Sequence, residues 1–427
     1  MLRLLKKRST KYVLLFLGTV AVALLLLLLG ACLPQSRIDN NVMQSASIML
    51  SQGCYPNISD GSQTSQLDNF TDALMLMESK ATTIRNPETI LTNPLYTDGA
   101  NPVVDLYRYC VDSNMEPASF YVRYWMGFRG FLRLALVFLN YYQLKRYLAL
   151  AFFGLFTAVI CSLAKNAGVR TAFFFAVSVI LVKPQIICAS MQFSCCFLIA
   201  FAAMLLIPWL SRNRRYAGFF FMEVGMITMF LDFYSTPIIT FGIPAVYLYF
   251  LQAKRGHTAK LKEILRNFLA WFAGYLLMWL SKLVLTSLLT EQDAVQNGLG
   301  SLLMWLGAEG FKLSNGAYRP ATALQQVVKA LCQDRDGALF FGGLLATALG
   351  LVLVNLLRQK LSWRELLRNW SLLLIALMPV IWFAVSSEPT TIHYWFQYRS
   401  VVVCFWAVFT YVLLGVSSEE KHKCKCP

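Results

Sequence analysis

Charge is scarce in this chain and histidine nearly missing. Asp, Glu, Lys and Arg make up 14% of the 427 residues, and there are 3 histidines. A soluble domain of this size needs a charged shell. Hydrophobic residues instead reach 57%, more apolar surface than such a domain can hide. The phosphate loop GxxxxGK[ST], the HExxH helix, zinc-spaced CxxC pairs and the GxSxG elbow are also missing. P-loop nucleotide chemistry, zinc proteolysis and serine-hydrolase chemistry are therefore without support. The triplet "DRD" at 334–336 matches the acidic motif of nucleotide-sugar enzymes, but three residues alone carry little.

What is present is a series of apolar runs approaching the length that crosses a hydrocarbon core of about 30 Å. Within that core every backbone amide must be paired inside its own segment or a closed barrel, so the runs predict helices. The class is an all-α polytopic membrane protein with about ten spans, near 12–33, 146–164, 171–189, 190–210, 217–232, 236–252, 268–288, 337–357, 369–387 and 399–416. The pair 217–232 and 236–252 is short for full crossings. The first run follows basic residues and exceeds the apolar core of a cleaved signal; "LGAC" at 29–32 only faintly resembles a lipoprotein box.

The net charge of +16 would suit nucleic acid, but its placement does not. Lys and Arg gather between apolar runs, in "RLLKKRSTK" at the start, "SRNRR" (211–215), "AKRGHTAKLKEILR" (253–266), "RQKLSWRELLR" (358–368) and "KHKCK" near the end. That is how cytoplasmic turns are marked. With the ten spans all of these fall on one side, which predicts a multi-pass cell-membrane protein with both termini cytoplasmic and no nucleic-acid partner.

Two segments remain for the other side. Residues 34–118 are polar and acidic, with ten Asp or Glu against four Lys or Arg, and are too long for a plain connector. Residues 289–336 form the second. Cys54 and Cys110 fall in the first and either pair in an oxidising compartment or stay as thiols. The stretch 119–144 is read as a juxtamembrane helix. At 100° per residue Arg123, Arg129 and Arg133 fall within an arc of about 120°, which predicts arginines turned toward water or headgroups. Counting 119–144 as a span would put the later basic turns outside.

Costly polar residues gather at the outer ends of spans: "LDNFTDALML" (67–76), "FYVRYWMGFR" (120–129), "KPQ" (183–185), "SMQFS" (190–194), "LDFYSTP" (231–237) and "SSEPTTIHYWFQYR" (386–399). Ionisable groups near lipid cost roughly 2.5–3.5 kcal/mol even on the lenient insertion scale, so their convergence suggests a site. Asp39, Asp68 and Asp72 are candidate bases, although Asp68 and Asp72 equally suit a helix start. Arg123, Arg129 and Arg399 are candidate phosphate clamps, with headgroup contact as the plainer role. His393 can donate to a phosphate oxygen or shuttle a proton. Trp125 and Tyr398, with Tyr394 and Trp395, suit an aromatic belt, and Gln192 and Asp232 suit a cavity lining. No motif demands a cofactor or metal; a divalent cation beside the acidic residues is compatible with the sequence.

A basic start, one span, a long loop with early aspartates, an interfacial helix and then many spans resembles the GT-C class of membrane glycosyltransferases. The likeness covers most of the chain as layout; "RYWMGF" and "IHYWFQYR" also look like motifs of uncharacterised bacterial membrane proteins of similar layout. It implies transfer of a sugar from a polyprenyl-phosphate carrier to a glycan or lipid acceptor at the membrane, with an acidic residue of the first loop as base. The class often carries an acidic pair there; this chain has Asp39 followed by Asn40 and Asn41, which leaves Asp39, Asp68 and Asp72 all open. A transporter or flippase of a lipid-linked or polar solute is the alternative, along with a non-catalytic envelope protein. Transport predicts charges deep within spans, where only Glu223 and Lys282 fall, and a repeated plan, which is not evident.

Overall fold

The structure, a computed structural model, describes residues 8–58, 61–112, 114–232, 234–258, 260–305, 320–332 and 362–416, with isolated positions between 342 and 354. The expected span at 337–357, the DRD triplet and the C-terminal basic stretch fall wholly or mostly outside the described residues.

The described chain is helical almost throughout. Its only named strands are β1 (Pro94–Leu95) and β2 (Ser119–Phe120), paired antiparallel with Pro94 opposite Phe120. The helices run α1 (Arg8–Ala31), α2 (Gln35–Gln52), α3 (Asn69–Ala81), α4 (Thr89–Thr92), α5 (Pro102–Val111), α6 (Phe128–Leu136), α7 (Tyr141–Ala167), α8 (Val169–Ile180), α9 (Pro184–Ile187), α10 (Met191–Leu210), α11 (Ala217–Leu231), α12 (Ile238–Lys254), α13 (Leu261–Leu289), α14 (Ala294–Trp305) and α15 (Pro320–Leu331). Later helices, at Trp363–Arg368, Leu372–Val385, Ser387–Ile392, Tyr394–Gln397 and Val402–Gly415, are named by their residues.

Five segments among the described residues are long and apolar enough to cross a membrane: Ser9–Ala31, Tyr141–Ala167, Met191–Leu210, Leu261–Leu289 and Tyr394–Gly415. Their outward surface is lipid-like. In α1, Val13, Leu17, Val22, Leu25 and Leu29 are all exposed, which only a hydrocarbon surround makes favourable. The chain is therefore a helical membrane protein. Val169–Ile180, Ile238–Lys254 and Leu372–Val385 are apolar but shorter, so ten full crossings are not established.

Helix α12 is the pillar of the bundle. Every residue from Ile238 to Gln252 is buried, matching a sequence that is apolar all round. Helices α11 and α13 approach most closely because each offers a glycine to the other's backbone. A Cβ added at Gly225 would overlap the Trp271 carbonyl, and one at Gly274 the Met222 carbonyl, a small-residue contact of the kind membrane helices use.

The bundle has two unlike ends. At one, the basic turns meet: Lys254 Nζ donates to the Ala167 carbonyl at 2.5 Å, Arg255 to Ser211 Oγ at 2.8 Å, and Arg368 to the Gly256 carbonyl at 2.7 Å. At the other, the polar segment folds into a layer of helices α2, α3, α5 and α6. Helix α5 is capped by Asn101, whose side chain accepts from the Val104 amide, with Pro102 at its first position. Cys54 and Cys110 are both free thiols, and Cys54 donates to Asn101 Oδ1 at 3.2 Å.

The single helix expected over 119–144 is not there: 119–120 is strand, the helix α6 covers Phe128–Leu136 alone, and 141–144 already belong to α7. Arg123 therefore lies before α6, and the two arginines that do share its face point the other way from the expectation. Arg129 and Arg133 are fully buried, whereas Phe131, Leu134 and Phe138 are exposed. The Arg129 guanidinium donates to Thr82 Oγ1 and to the carbonyls of Thr89, Ile90, Trp125 and Met126 at 2.7–3.3 Å. Arg133 donates to the carbonyls of Gly30 and Ser79 and to Gln35 Oε1. Carbonyls near the ends of α1 and α3, in the short α4 and in the turn before α6 supply these acceptors, so protein satisfies the arginines and the aromatic face meets the surround. With 9 residues, α6 is too short to cross a core of about 30 Å.

Candidate functional site

Between the polar layer and the ends of the bundle helices lies a cavity of about 470 Å³. Its floor is one face of α3. Thr71, Leu74, Met75 and Glu78 line it at positions i, i+3, i+4 and i+7, the spacing that puts side chains on one helical stripe. Asp68, the N-cap of α3, stands at one end. Its carboxylate accepts from the Thr71 amide at 3.0 Å and from Thr71 Oγ1 at 2.6 Å. Ten residues of helix at 1.5 Å each put Glu78 about 15 Å further along. The walls come from Arg123 and Tyr124, from Tyr234 past the end of α11, from Gln192 at the start of α10, and from the Ser387–Ile392 and Tyr394–Gln397 helices.

Several buried polar atoms around this cavity have no hydrogen-bond partner: Glu78 Oε2, Glu388 Oε2, Gln192 Oε1, Gln397 Nε2 and Arg123 Nε. Leaving such an atom unpaired costs about 1–3 kcal/mol, so a cluster of them around one space marks somewhere a polar guest fits. Glu388 and Gln192 leave acceptor oxygens open and the Glu78 carboxyl can both donate and accept, which suits a guest with groups that do both, such as hydroxyls. The aromatic walls, Tyr55, Phe70, Trp395 and Phe396 among them, offer flat apolar faces beside those acceptors.

Burial pushes the Asp68 carboxyl up to about 7 against the pull of its two Thr71 hydrogen bonds. Burial pushes Glu78 up to about 8, with Arg129 and Lys282 nearby pulling the other way. Arg123 is held over the Tyr121 ring, 4.3 Å from its centroid, and donates to Ser301 Oγ at 3.0 Å. His393 sits exposed at the rim, stacked on Phe396 at 5.2 Å.

Of the candidate residues, Asp68, Arg123, Gln192 and His393 line this one cavity. The others are placed differently. Asp39 lies on α2, where Gln35 Nε2 and Lys80 Nζ donate to it at 2.8 and 3.1 Å; it does not line the cavity. Asp72 is buried on the opposite face of α3 and acts as an external cap. It accepts from the Tyr141 hydroxyl, from Ser190 Oγ, and from the Met191 and Gln192 amides at 3.3 and 3.4 Å. These amides open α10, whose own N-cap Ser190 makes no side-chain cap. Trp125 is buried with its indole N–H on the Met278 carbonyl at 2.7 Å. Arg129 is structural, as described. Burial lowers it to about 10, which still leaves it charged. Asp232 closes α11 by accepting from the Ser235 amide and hydroxyl.

Tyr398 and Arg399 are buried behind the cavity wall rather than on it. Arg399 sits over the Phe193 ring and donates to the Thr64 carbonyl at 3.1 Å. Lys183 of "KPQ" donates to Thr64 Oγ1 and Ser65 Oγ at 2.8 and 2.7 Å, and the Tyr394 hydroxyl reaches Gln63. Three side chains from two distant parts of the chain, Lys183 and the 394–399 segment, thus hold the turn Gln63–Ser65, just ahead of Asp68. Positioning that turn is the role of Arg399 seen here.

Glu78 and Glu388 were not singled out from sequence. Glu78 had a signal, being the one acidic residue that continues the Thr71–Leu74–Met75 stripe. The carboxylates do not gather: among the described residues no group of three or more His, Cys, Asp or Glu side chains stands close enough to hold a metal ion. Comparison with protein-family models, with characterised proteins and with solved structures found no match for this chain.

Proposed function

We propose that this chain is an integral membrane glycosyltransferase that takes a sugar from a polyprenyl-phosphate carrier and passes it to a glycan or lipid hydroxyl. The observation that carries the reading is the cavity, in which one aspartate poised near neutral pH, one arginine and several unpartnered acceptors share a space with aromatic walls. Asp68 takes the acceptor's hydroxyl proton as its oxygen forms a bond to the anomeric carbon. The bond from that carbon to the phosphate oxygen breaks with its electron pair staying on phosphate. Arg123 meets the charge developing there, and His393 stands at the rim where the carrier would enter. Glu78, Glu388 and Gln192 accept hydroxyls of the sugars.

The same reading orients the chain. Basic turns favour the cytoplasm, so in a cell membrane the end holding Ala167, Ser211 and Gly256 faces inward, the cavity faces out, and both termini are cytoplasmic. Nothing in it needs a cofactor or nucleic acid.

The test is to incubate the purified full-length protein in nanodiscs with a labelled polyprenyl-phosphate sugar and membrane glycolipid acceptors. Wild type is expected to release carrier phosphate and label the acceptor, and Arg123→Ala to lose at least a hundredfold in rate, about the worth of one preorganised charge-stabilising group. Binding without turnover would favour transport of the lipid-linked solute, and full activity of Arg123→Ala would remove the phosphate role.

A further inference from the structure

A second space of about 190 Å³ adjoins the polar cavity, sharing Tyr124 and Tyr234 as its wall. It runs between α13 and the Leu372–Val385 helix, with Leu302 of α14 alongside. Its lining is otherwise apolar, and it lies where Phe272, Leu276 and Val385 are exposed on the hydrocarbon-facing surface, so it opens sideways to lipid. Three of the residues that line it carry a buried hydrogen-bonding group with no partner: Tyr275 Oη, Trp279 Nε1 and Trp382 Nε1. Buried tyrosine and tryptophan usually find one. The two indoles can only donate, and no carboxylate or cation lines the slot.

We propose that this slot binds an ester-linked glycerophospholipid, its acyl chain between α13 and the Leu372–Val385 helix and its ester carbonyls accepting from Trp279, Trp382 and Tyr275. The chemistry selects this occupant. A bare hydrocarbon or isoprenoid chain fills the slot but brings no acceptor along its length, leaving two buried indole donors unmatched. An ester brings carbonyl oxygens a few bonds from its chain. The phospholipid headgroup then lies past Tyr124 and Tyr234, beside the polar cavity. The inference stands on the slot alone and holds whether or not the cavity transfers a sugar.

Native mass spectrometry of the delipidated full-length protein tests it, using three added lipids: a diacyl phospholipid, its ether-linked analogue with the same headgroup and chains, and a polyprenyl phosphate. The ester lipid is expected to be retained at about a tenfold lower concentration than the ether lipid, the worth of one to two net hydrogen bonds. Tyr275→Phe should narrow that gap, and Leu302→Trp, which fills the slot, should abolish retention of both. Equal retention of ester and ether lipids overturns the proposal. So does preferential retention of the polyprenyl phosphate, which would give the slot to the carrier chain. Should Leu302→Trp fail to fold, the ester-to-ether ratio in wild type and Tyr275→Phe still decides.

Discussion

The two faces of α3 are built from the same kinds of residue and behave differently. On one, Asp72 gathers a tyrosine hydroxyl, a serine hydroxyl and two helix-start amides, and joins α3 to α7 and α10. On the other, Glu78 is equally buried and keeps an oxygen with no partner, facing a cavity. A buried polar side chain satisfied by the protein is part of the frame; one left wanting marks a place for something else. The same contrast separates the arginines: Arg129 spends its donors on five protein oxygens, while Arg123 keeps its Nε unpaired beside the cavity.

If that contrast is sound, the largest loss of stability should come from the satisfied side. Arg129→Ala takes the guanidinium donors away from four buried carbonyls and a threonine hydroxyl, and should cost about 3–5 kcal/mol. In fluorescence-detected size-exclusion chromatography it should show little folded protein. A well-folded Arg129→Ala would break the comparison.

The cavity side should give a smaller effect that depends on pH. A carboxyl whose folded pKa is raised binds its proton more tightly in the folded state. Its stabilising contribution is complete below the unfolded value, about 4.3, and is lost as pH rises through the folded value. For Glu78 that window closes near 8. Wild type should therefore melt at lower temperature as pH rises from 5 to 8, and Glu78→Gln should flatten that slope while changing little at pH 5. An unchanged slope would mean that Glu78 does not carry its proton as described.

The sequence showed the membrane class plainly, because uncharged runs leave a backbone no alternative to helix. It also showed which positions around α6 share a face, since spacing alone sets that. It could not show which way the face points. Arg129 and Arg133 turn inward because carbonyls of Gly30, Ser79, Thr89 and Ile90, far away in sequence, converge there. Asp68 and Asp72 illustrate the same limit. Both sit at a helix start, and local rules treat them alike. What separates them is Tyr141 and the start of α10, contributed by a later part of the chain. Arg399 was misplaced for the same reason: its partner Thr64 is 335 residues away. Glu78, not singled out from sequence, does carry a signal there: it is the one acidic residue that continues the Thr71–Leu74–Met75 stripe.

The most direct test compares Asp68→Asn with Asp72→Asn for thermal stability and sugar transfer side by side. Asparagine caps a helix about as well as aspartate, so Asp68→Asn should melt within about 0.5 kcal/mol of wild type and transfer no sugar. Asp72→Asn should lose about 1–3 kcal/mol and, where folded, still transfer. Active Asp68→Asn together with a folded but inactive Asp72→Asn would place the chemistry on the other face of α3.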